Sequence, residues 1–517
     1  SIADDPGPLP TGEGAGAAEP AVSRVEDSSV AGGCQSHRDC AEAQSDASSG
    51  PAVCVKATGA CASLLTAECP RFVGDPTNDE AIVLGALLGD GEGSADAALE
   101  AAAFLAAEEI NAASAGGGLP SASPGGSARP LVVVGCSRAP DVLRGARHLV
   151  DDLRVPAIVG PTAGEDVVAA TQQVSAKGGT LIMTPTSAVS AISDLADNGL
   201  TWRAVPSDAQ RAKLVIEQIK ALETLLGATR GLGTVKLGVV RSADARGASA
   251  DDAIRGKLIL NGRFITDPAN ALNVSVDLYP PGDGAALAGI AAKYADTFRP
   301  DVVFVTAEEQ IGAFVVPFEQ ALTAARAVHR PYYVVTEAAK TDALLAAIGS
   351  TSLPSDARRR IRGVAPRPDA PSAPVLSAFT DAYRERNGAL PPASVLPAAA
   401  LSYDATYAIA YAIAATADQP LSGASVAAGL RTLGVGESAA VGAQGARGVI
   451  QALEVHKSVS LRGTFSPLQW DPSGDIAAGT VEVWCVGSSD GAPAFGSSGL
   501  TMDVRTQVVG GAFVQCQ

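Results

Sequence analysis

The sequence predicts an α/β protein of two lobes, each a doubly wound parallel sheet covered by helices, with a small cysteine-rich module in front of them. Three observations carry this. Strand-like and helix-like stretches alternate from Pro70 through most of the remaining chain, which is the order that sets parallel strands between two helical layers. The alternation runs once as far as Asp208 and starts again after it. Finally, 517 residues are more than one compact core normally supports, so two lobes or more are expected.

Residues 1–33 are acidic and rich in Pro, Gly and Ala, with almost no large apolar side chain. Ordering them would cost more entropy than burial returns, so they read as a flexible acidic linker. Residues 34–69 hold five of the eight cysteines, Cys34, Cys40, Cys54, Cys61 and Cys69, in a Gly/Ser/Ala-rich segment too poor in large apolar residues to build a core. Such density fits disulfide staples in an oxidising compartment. A zinc site is the competing reading, but no pair has the C-x-x-C spacing and His37 is the only nearby imidazole. Five is odd, so at least one thiol pairs outside the segment or stays free. Cys136, just after the second strand, is a candidate partner for Cys69; Cys485 and Cys516 bracket a C-terminal extension, 487–517, that they would close into a loop. Sequence does not fix the connectivity.

The first lobe opens with an apolar strand, Ile82 to Leu88, a glycine loop, Gly89-Asp90-Gly91-Glu92-Gly93, and a helix closing on Ala107-Glu108-Glu109-Ile110-Asn111. Leu99, Ala102, Ala106 and Ile110 recur at helical spacing and Ser94 is a good N-cap. Further strands follow at Leu131 to Gly135, ending in Ile158-Val159-Gly160-Pro161, and ending in Leu181-Ile182-Met183-Thr184-Pro185; then comes Trp202-Arg203-Ala204-Val205-Pro206-Ser207-Asp208. The second run has strands at Val235 to Val240, Asp301 to Val305 and Tyr332 to Val335.

Composition and motifs exclude several functions. A net charge of -17 leaves no basic stripe to release counterions from nucleic acid or to hold anionic lipid. No run of about 18 apolar residues spans a bilayer, and Ser1-Ile2-Ala3-Asp4-Asp5 lacks the basic and apolar regions of an export signal. The glycine loop invites a dinucleotide reading, but its third glycine falls one residue early, and Asp90 and Glu92 would repel a pyrophosphate. There is no G-x-S-x-G elbow and no H-E-x-x-H; His37, His148, His329 and His456 stand apart from any triad context and read as surface or packing residues. The chain therefore reads as a binder and not an enzyme, with no cofactor and no metal.

Taken in order, these elements resemble the type I periplasmic solute-binding proteins, the leucine/isoleucine/valine-binding family that feeds ABC importers. Leu401-Ser402-Tyr403-Asp404-Ala405 resembles the family's late helix with its Tyr-Asp-Ala signature. Arg462-Gly463-Thr464-Phe465, followed by Asp471-Pro472-Ser473-Gly474-Asp475, resembles its closing hairpin, where a Pro-Ser-Gly turn is chemically apt. The resemblance covers roughly residues 70 to 486. It implies three crossovers between lobes, near Val205-Pro206, near Gly363-Val364-Ala365-Pro366 and near Arg462-Gly463. Lobe one would then be 70–206 plus 367–461, and lobe two 207–366 plus 462–486.

The resemblance also implies where a ligand sits, since ligands of open α/β sheets bind outside the carboxyl ends of the strands. In the amino-acid-binding members lobe one grips a carboxylate with a serine after the third strand, and with a backbone amide and a threonine after the fourth. The corresponding positions here are Gly164, Thr186 and Ala188. Two hydroxyls are thus missing, and Ser187 and Thr162 stand nearby as substitutes; Asp90 lies in the glycine loop where lobe one faces the cleft. On lobe two the family's tyrosines become Arg246 and Glu308, while Glu337 falls where the family places the glutamate that pairs with a ligand ammonium. Glu308 and Glu337 are otherwise two solvated carboxylates at strand ends. Arg246 meets a ligand carboxylate or pairs with Asp244 or Asp251 on the surface. The expected function is capture of a small polar ligand, an amino acid or related carboxylate or amide, by hinge closure for an ABC permease. A ligand-sensing receptor domain of a signalling system is the alternative. The expected location is periplasmic or extracellular, and any membrane contact would run through an N-terminal tether, such as a lipid anchor on a removed leader.

Overall fold

The computed structural model describes residues 33–43, 50–89, 95–114, 116–123, 125–308, 310–349, 353–354 and 356–517. The expected linker, apart from Gly33, and Asp90 and Ser94 lie outside the described residues. The module consists of a short helix, His37–Ala43, followed by a hairpin of β1 (Ala52–Val55) and β2 (Ala60–Ser63). The first lobe is a six-stranded sheet of β3 (Arg71–Val73), β4 (Ile82–Gly89), β5 (Leu131–Ser137), β6 (Ala157–Val159), β7 (Leu181–Thr184) and β8 (Thr201–Arg203), in the order β3-β5-β4-β6-β7-β8. All neighbours are parallel except β3 against β5.

The second lobe repeats the pattern with β9 (Leu237–Ser242), a small ribbon of β10 (Ile259–Leu260) and β11 (Arg263–Phe264), then β12 (Val274–Tyr279), β13 (Val302–Val305), β14 (Tyr332–Val335) and β15 (Ile361–Arg367). After a return to lobe one, where β16 (Glu437–Ala440) and β17 (Val459–Arg462) pair in parallel, the chain adds β18 (Thr480–Ser489), β19 (Ala492–Asp503) and β20 (Val509–Gly510). The second sheet runs β12-β9-β13-β14-β15-β18-β19-β20, parallel through β15 and antiparallel beyond it.

Both sheets are buried on two faces, which is why their strands read as continuous apolar runs and not as alternating ones. In lobe one Leu84, Ala86 and Val133 face one core while Leu87, Val132 and Val134 face the other. In lobe two Val303, Val305 and Tyr333 face one side, and Val302, Phe304 and Val334 the other. The helix Leu396–Ala415 lies against the helix Ala95–Ala112 in the first of these cores. Between them Tyr403 and Tyr407 each donate a hydroxyl to Glu109, at 2.5 and 2.6 Å. Burial raises the Glu109 pKa, and the two phenols work against that rise.

Two expected boundaries move. Leu461, Phe465, Leu468 and Ile476 all lie in the lobe-one core, whereas Val481 is in the lobe-two core. The third crossing therefore falls between Ile476 and Thr480, not near Arg462-Gly463. Residues 487–517 are not a separate extension either, since β19 and β20 continue the lobe-two sheet. The hairpin motif was read as an entry to lobe two, but its side chains face the apolar stripe of the Tyr-Asp-Ala helix. Asp404 of that helix accepts the Thr464 amide at 2.8 Å and the Thr464 hydroxyl at 2.7 Å.

All eight cysteines pair. Cys34–Cys54 and Cys40–Cys61 close the module on itself, Cys69–Cys136 joins it to β5, and Cys485–Cys516 ties β18 to the chain terminus. The sulfurs of Cys34, Cys40 and Cys61 lie within 4.8 Å of one another, a consequence of two adjacent disulfides. His37 accepts the Cys54 amide at 3.0 Å and faces the Ala81 carbonyl at 3.3 Å. His148 lies between Asp152 at 3.0 Å and the Leu64 carbonyl at 3.3 Å. Both imidazoles thus fasten the module to lobe one. Among the described residues no helix is long and apolar enough to cross a membrane.

Candidate functional site

The carboxyl ends of β6 and β7 face those of β9, β13 and β14 across the groove between the lobes. On lobe one, Gly164 opens the helix Gly164–Ala170. A side chain there would run into Val189, and its Cβ would stand 3.3 Å from the Ser187 hydroxyl. Ser187 is only 4% exposed, and its hydroxyl has no hydrogen-bond partner among the described residues. Thr162 and Thr186 are half-buried beside it. Thr184 holds the loop, its hydroxyl donating to the Pro161 carbonyl at 2.6 Å and accepting the Ser187 amide at 3.2 Å.

Sequence reasoning missed the residue that braces this loop. Arg203 is fully buried at the end of β8; it donates to the carbonyls of Ser187 at 3.4 Å and Val189 at 3.0 Å and to the Ser193 hydroxyl at 3.0 Å. Its charge is met by Asp475 at 2.6 Å. Burial depresses the Arg203 pKa and Asp475 offsets part of the drop. Asp475 can reach it because the Asp471–Asp475 turn abuts β8. Gly474 sits there at φ +79°, where a side chain would meet the Thr201 carbonyl at 2.6 Å, and its own carbonyl accepts the Arg203 amide at 3.0 Å. The signal was available: an arginine inside an otherwise apolar strand end is costly to bury unless paired.

Lobe two supplies charges, but they face one another. Arg246 forms an ion pair with Glu308 and lies 3.7 Å from Asp244. Asp251, the other surface partner considered for Arg246, instead binds Arg241 at 3.1 Å and also Arg255. Glu337 forms an ion pair with Arg211, which Asp208 also holds at 2.8 Å. Arg211 is fully enclosed: burial weakens its cation, yet Glu337 and Asp208 outweigh that and leave its pKa raised. Asp208 is pushed up by burial, against the pull of Arg211.

These groups also stitch the lobes together. The Asp208 amide donates to the Ala188 carbonyl at 2.8 Å, the Ala209 amide to the Ser190 hydroxyl at 3.2 Å, and the Ser190 amide to the Ser249 hydroxyl at 2.9 Å. Ala245 packs on the lobe-one core. The helices starting at Gly164 and Ala245 touch, so the lobes are closed on each other at this edge of the groove. At its other edge a cavity of about 510 Å³ opens between Ala97, Tyr383 and Pro392 of lobe one and Thr341 and Ala343 of lobe two.

Several solved structures share this arrangement. A leucine-binding protein of Thermotoga maritima aligns with 80% of this chain and 97% of its own, at 17% identity and a TM-score of 0.53. A branched-chain amino acid transporter substrate-binding protein of Streptococcus pneumoniae, in complex with isoleucine, aligns over 81% and 98% at 16% identity and 0.51. The chain has the type I periplasmic-binding-protein fold. A third structure with this fold, an ABC-transporter solute-binding protein of Rhodopseudomonas palustris in complex with 3,4-dihydroxybenzoic acid, aligns over 84% and 98% at 16% identity and 0.53. These proteins are binders of amino acids and aromatic acids. No protein-family model matches the sequence, and no curated protein does.

Proposed function

We propose that this chain is an extracytoplasmic solute-binding protein that captures a small polar ligand, an amino acid or a related carboxylate or amide, for an ABC importer. The observation that supports it best is Ser187. Its buried hydroxyl lacks a partner at the carboxyl end of the sheet, and unmade hydrogen bonds of buried groups are costly enough to need a reason. Its hydroxyl stands 3.3 Å from where a Cβ on residue 164 would lie, the position where the binding-protein family carries a serine. A glycine at 164 leaves room for Ser187 to present the same donor from the neighbouring loop. With Thr162 and Thr186 beside it, lobe one offers neutral donors suited to a carboxylate or amide oxygen.

On lobe two, Asp208 and Glu337 bring two carboxylates to one guanidinium. When both are ionised the triad keeps one excess negative charge, which favours a ligand ammonium at Glu337. Arg246 and Glu308 can open from each other toward a ligand, because both are partly exposed. Four disulfides fit an oxidising compartment, and the similar proteins serve ABC importers. The decisive experiment is mass spectrometry of small molecules released from the purified protein, followed by calorimetry with the species found. Ser187→Ala should weaken that ligand at least tenfold while leaving the melting temperature unchanged. Equal affinity in Ser187→Ala would remove the main support for this cleft.

A further inference from the structure

At the opposite end of lobe two from the cleft, the amino-terminal ends of β14 and β15 carry an arginine with no counter-ion. Arg362 is 8% exposed, and no carboxylate among the described residues bonds it. Its guanidinium lies 3.8 Å from the ring centre of Phe513 and 5.7 Å from that of Tyr332. Stacking of this kind covers the faces of the cation and leaves only its in-plane N–H edge for hydrogen bonding. The Nε on that edge is buried and has no acceptor. Burial lowers the Arg362 pKa, with only the Tyr332 phenol acting the other way.

Arg230, in the last turn of the helix Asp208–Arg230, lies 5.9 Å from the same Tyr332 ring. One of its terminal nitrogens donates to the Arg330 carbonyl at 2.8 Å, and the other is buried with no acceptor. Gln515 follows Phe513 by two residues along the terminal segment, where the Val514 amide donates to Ser498 at 2.9 Å; its amide nitrogen is also buried without an acceptor. Arg362 and Arg230 thus both lie against the Tyr332 ring, with Gln515 two residues beyond the Phe513 that stacks on Arg362, while the buried carboxylate Glu319 is taken up by Arg330, Arg360 and Tyr333.

We propose that Arg362 and Arg230 form a binding site for a small oxyanion, a carboxylate or a phosphate, which Gln515 completes from the terminal segment. The anion would accept from the Arg362 edge and the free Arg230 nitrogen, filling donors that nothing else fills.

The test is calorimetry and thermal unfolding of the intact protein at constant ionic strength, with inorganic phosphate and with acetate, against chloride as control. At least one of the two should bind saturably and raise the melting temperature by a few degrees. Arg362→Lys, which keeps the charge but loses the fork, and Arg230→Gln should each weaken that binding fivefold or more. Ser187→Ala should leave it unchanged, which separates this site from the cleft. Absence of saturable binding by both anions, or binding that survives Arg362→Lys and Arg230→Gln, would overturn the proposal. Should Arg362→Lys fold poorly, Arg230→Gln decides alone, because that side chain is only half-buried at its helix end.

Discussion

The two walls of the groove solve one problem in opposite ways. Lobe one presents hydroxyls and backbone on a loop held from behind by a buried ion pair, Arg203 with Asp475. Lobe two instead carries charges toward the groove, Arg246 with Glu308, both partly exposed, and Glu337, which the enclosed Arg211 holds from below. A brace hidden behind a neutral wall keeps geometry fixed while the wall stays adaptable in hydrogen bonding. Charges placed on the wall and already paired select strongly, because a ligand must replace what it displaces. Under the proposed function, lobe one orients the ligand and lobe two discriminates among ligands.

The hidden brace gives the largest expected effect. Asp475→Ala leaves Arg203 buried without its counter-ion, a loss of about 3 to 5 kcal/mol; denaturant unfolding followed by Trp202 and Trp470 fluorescence measures it. A change below about 1 kcal/mol would mean that the carbonyls of Ser187 and Val189 suffice, and the comparison would lose its first half.

Lobe one also contains a carboxylate with no cation among its bonding partners, Asp404, whose pKa burial raises to about 7 despite its bonds from Thr464. A folded-state value above the ordinary carboxyl value of 3.8 means that the native state binds the proton more tightly. Stability should therefore fall as pH rises from about 4 to 7, by up to roughly 1.4 kcal/mol per unit, and level off above that window. Asp404→Asn should remove this slope from a series of unfolding curves at different pH. A slope unchanged in the variant would assign it to other groups.

On lobe two, Glu337→Gln should cost about 1 to 3 kcal/mol, since Arg211 keeps Asp208 but loses its second anion. Thermal unfolding of the ligand-free variant tests this. An unchanged melting temperature would make Glu337 a purely ligand-facing group and sharpen the contrast with Asp475. The smallest effect belongs to Arg246 and Glu308, which are 33% and 47% exposed. A double-mutant cycle on stability should give less than about 1 kcal/mol, reduced further by salt.

The repeating part of the fold was legible because each strand, turn and helix is a local unit with its own apolar period. Ile82, Leu131, Leu181 and Tyr332 begin strands as expected. Thr162, Gly164, Thr186 and Ser187, the positions the family resemblance implies for lobe one, lie on the segments that follow β6 and β7. What the sequence could not reveal are pairings between distant segments. Arg211 meets Glu337 and Arg246 meets Glu308 through the packing of distant segments within lobe two, and Arg203 meets Asp475 through return of the hairpin to β8, which no local pattern encodes. The third crossing was misplaced for the same reason. The residues from Arg462 to Ile476 follow a strand, but what decides their lobe is the apolar face of a helix some sixty residues earlier.

The disulfide between Cys69 and Cys136 has a mechanical consequence. It joins the cysteine module to β5, next to β4 at the centre of the first sheet, so a load applied to the module enters lobe one through a covalent bond. Lobe two receives that load through the crossing strands and the hydrogen bonds at the closed edge of the groove. A protein held by its module would thus have one stationary jaw and one swinging jaw, and the swinging jaw is the one that carries the charges.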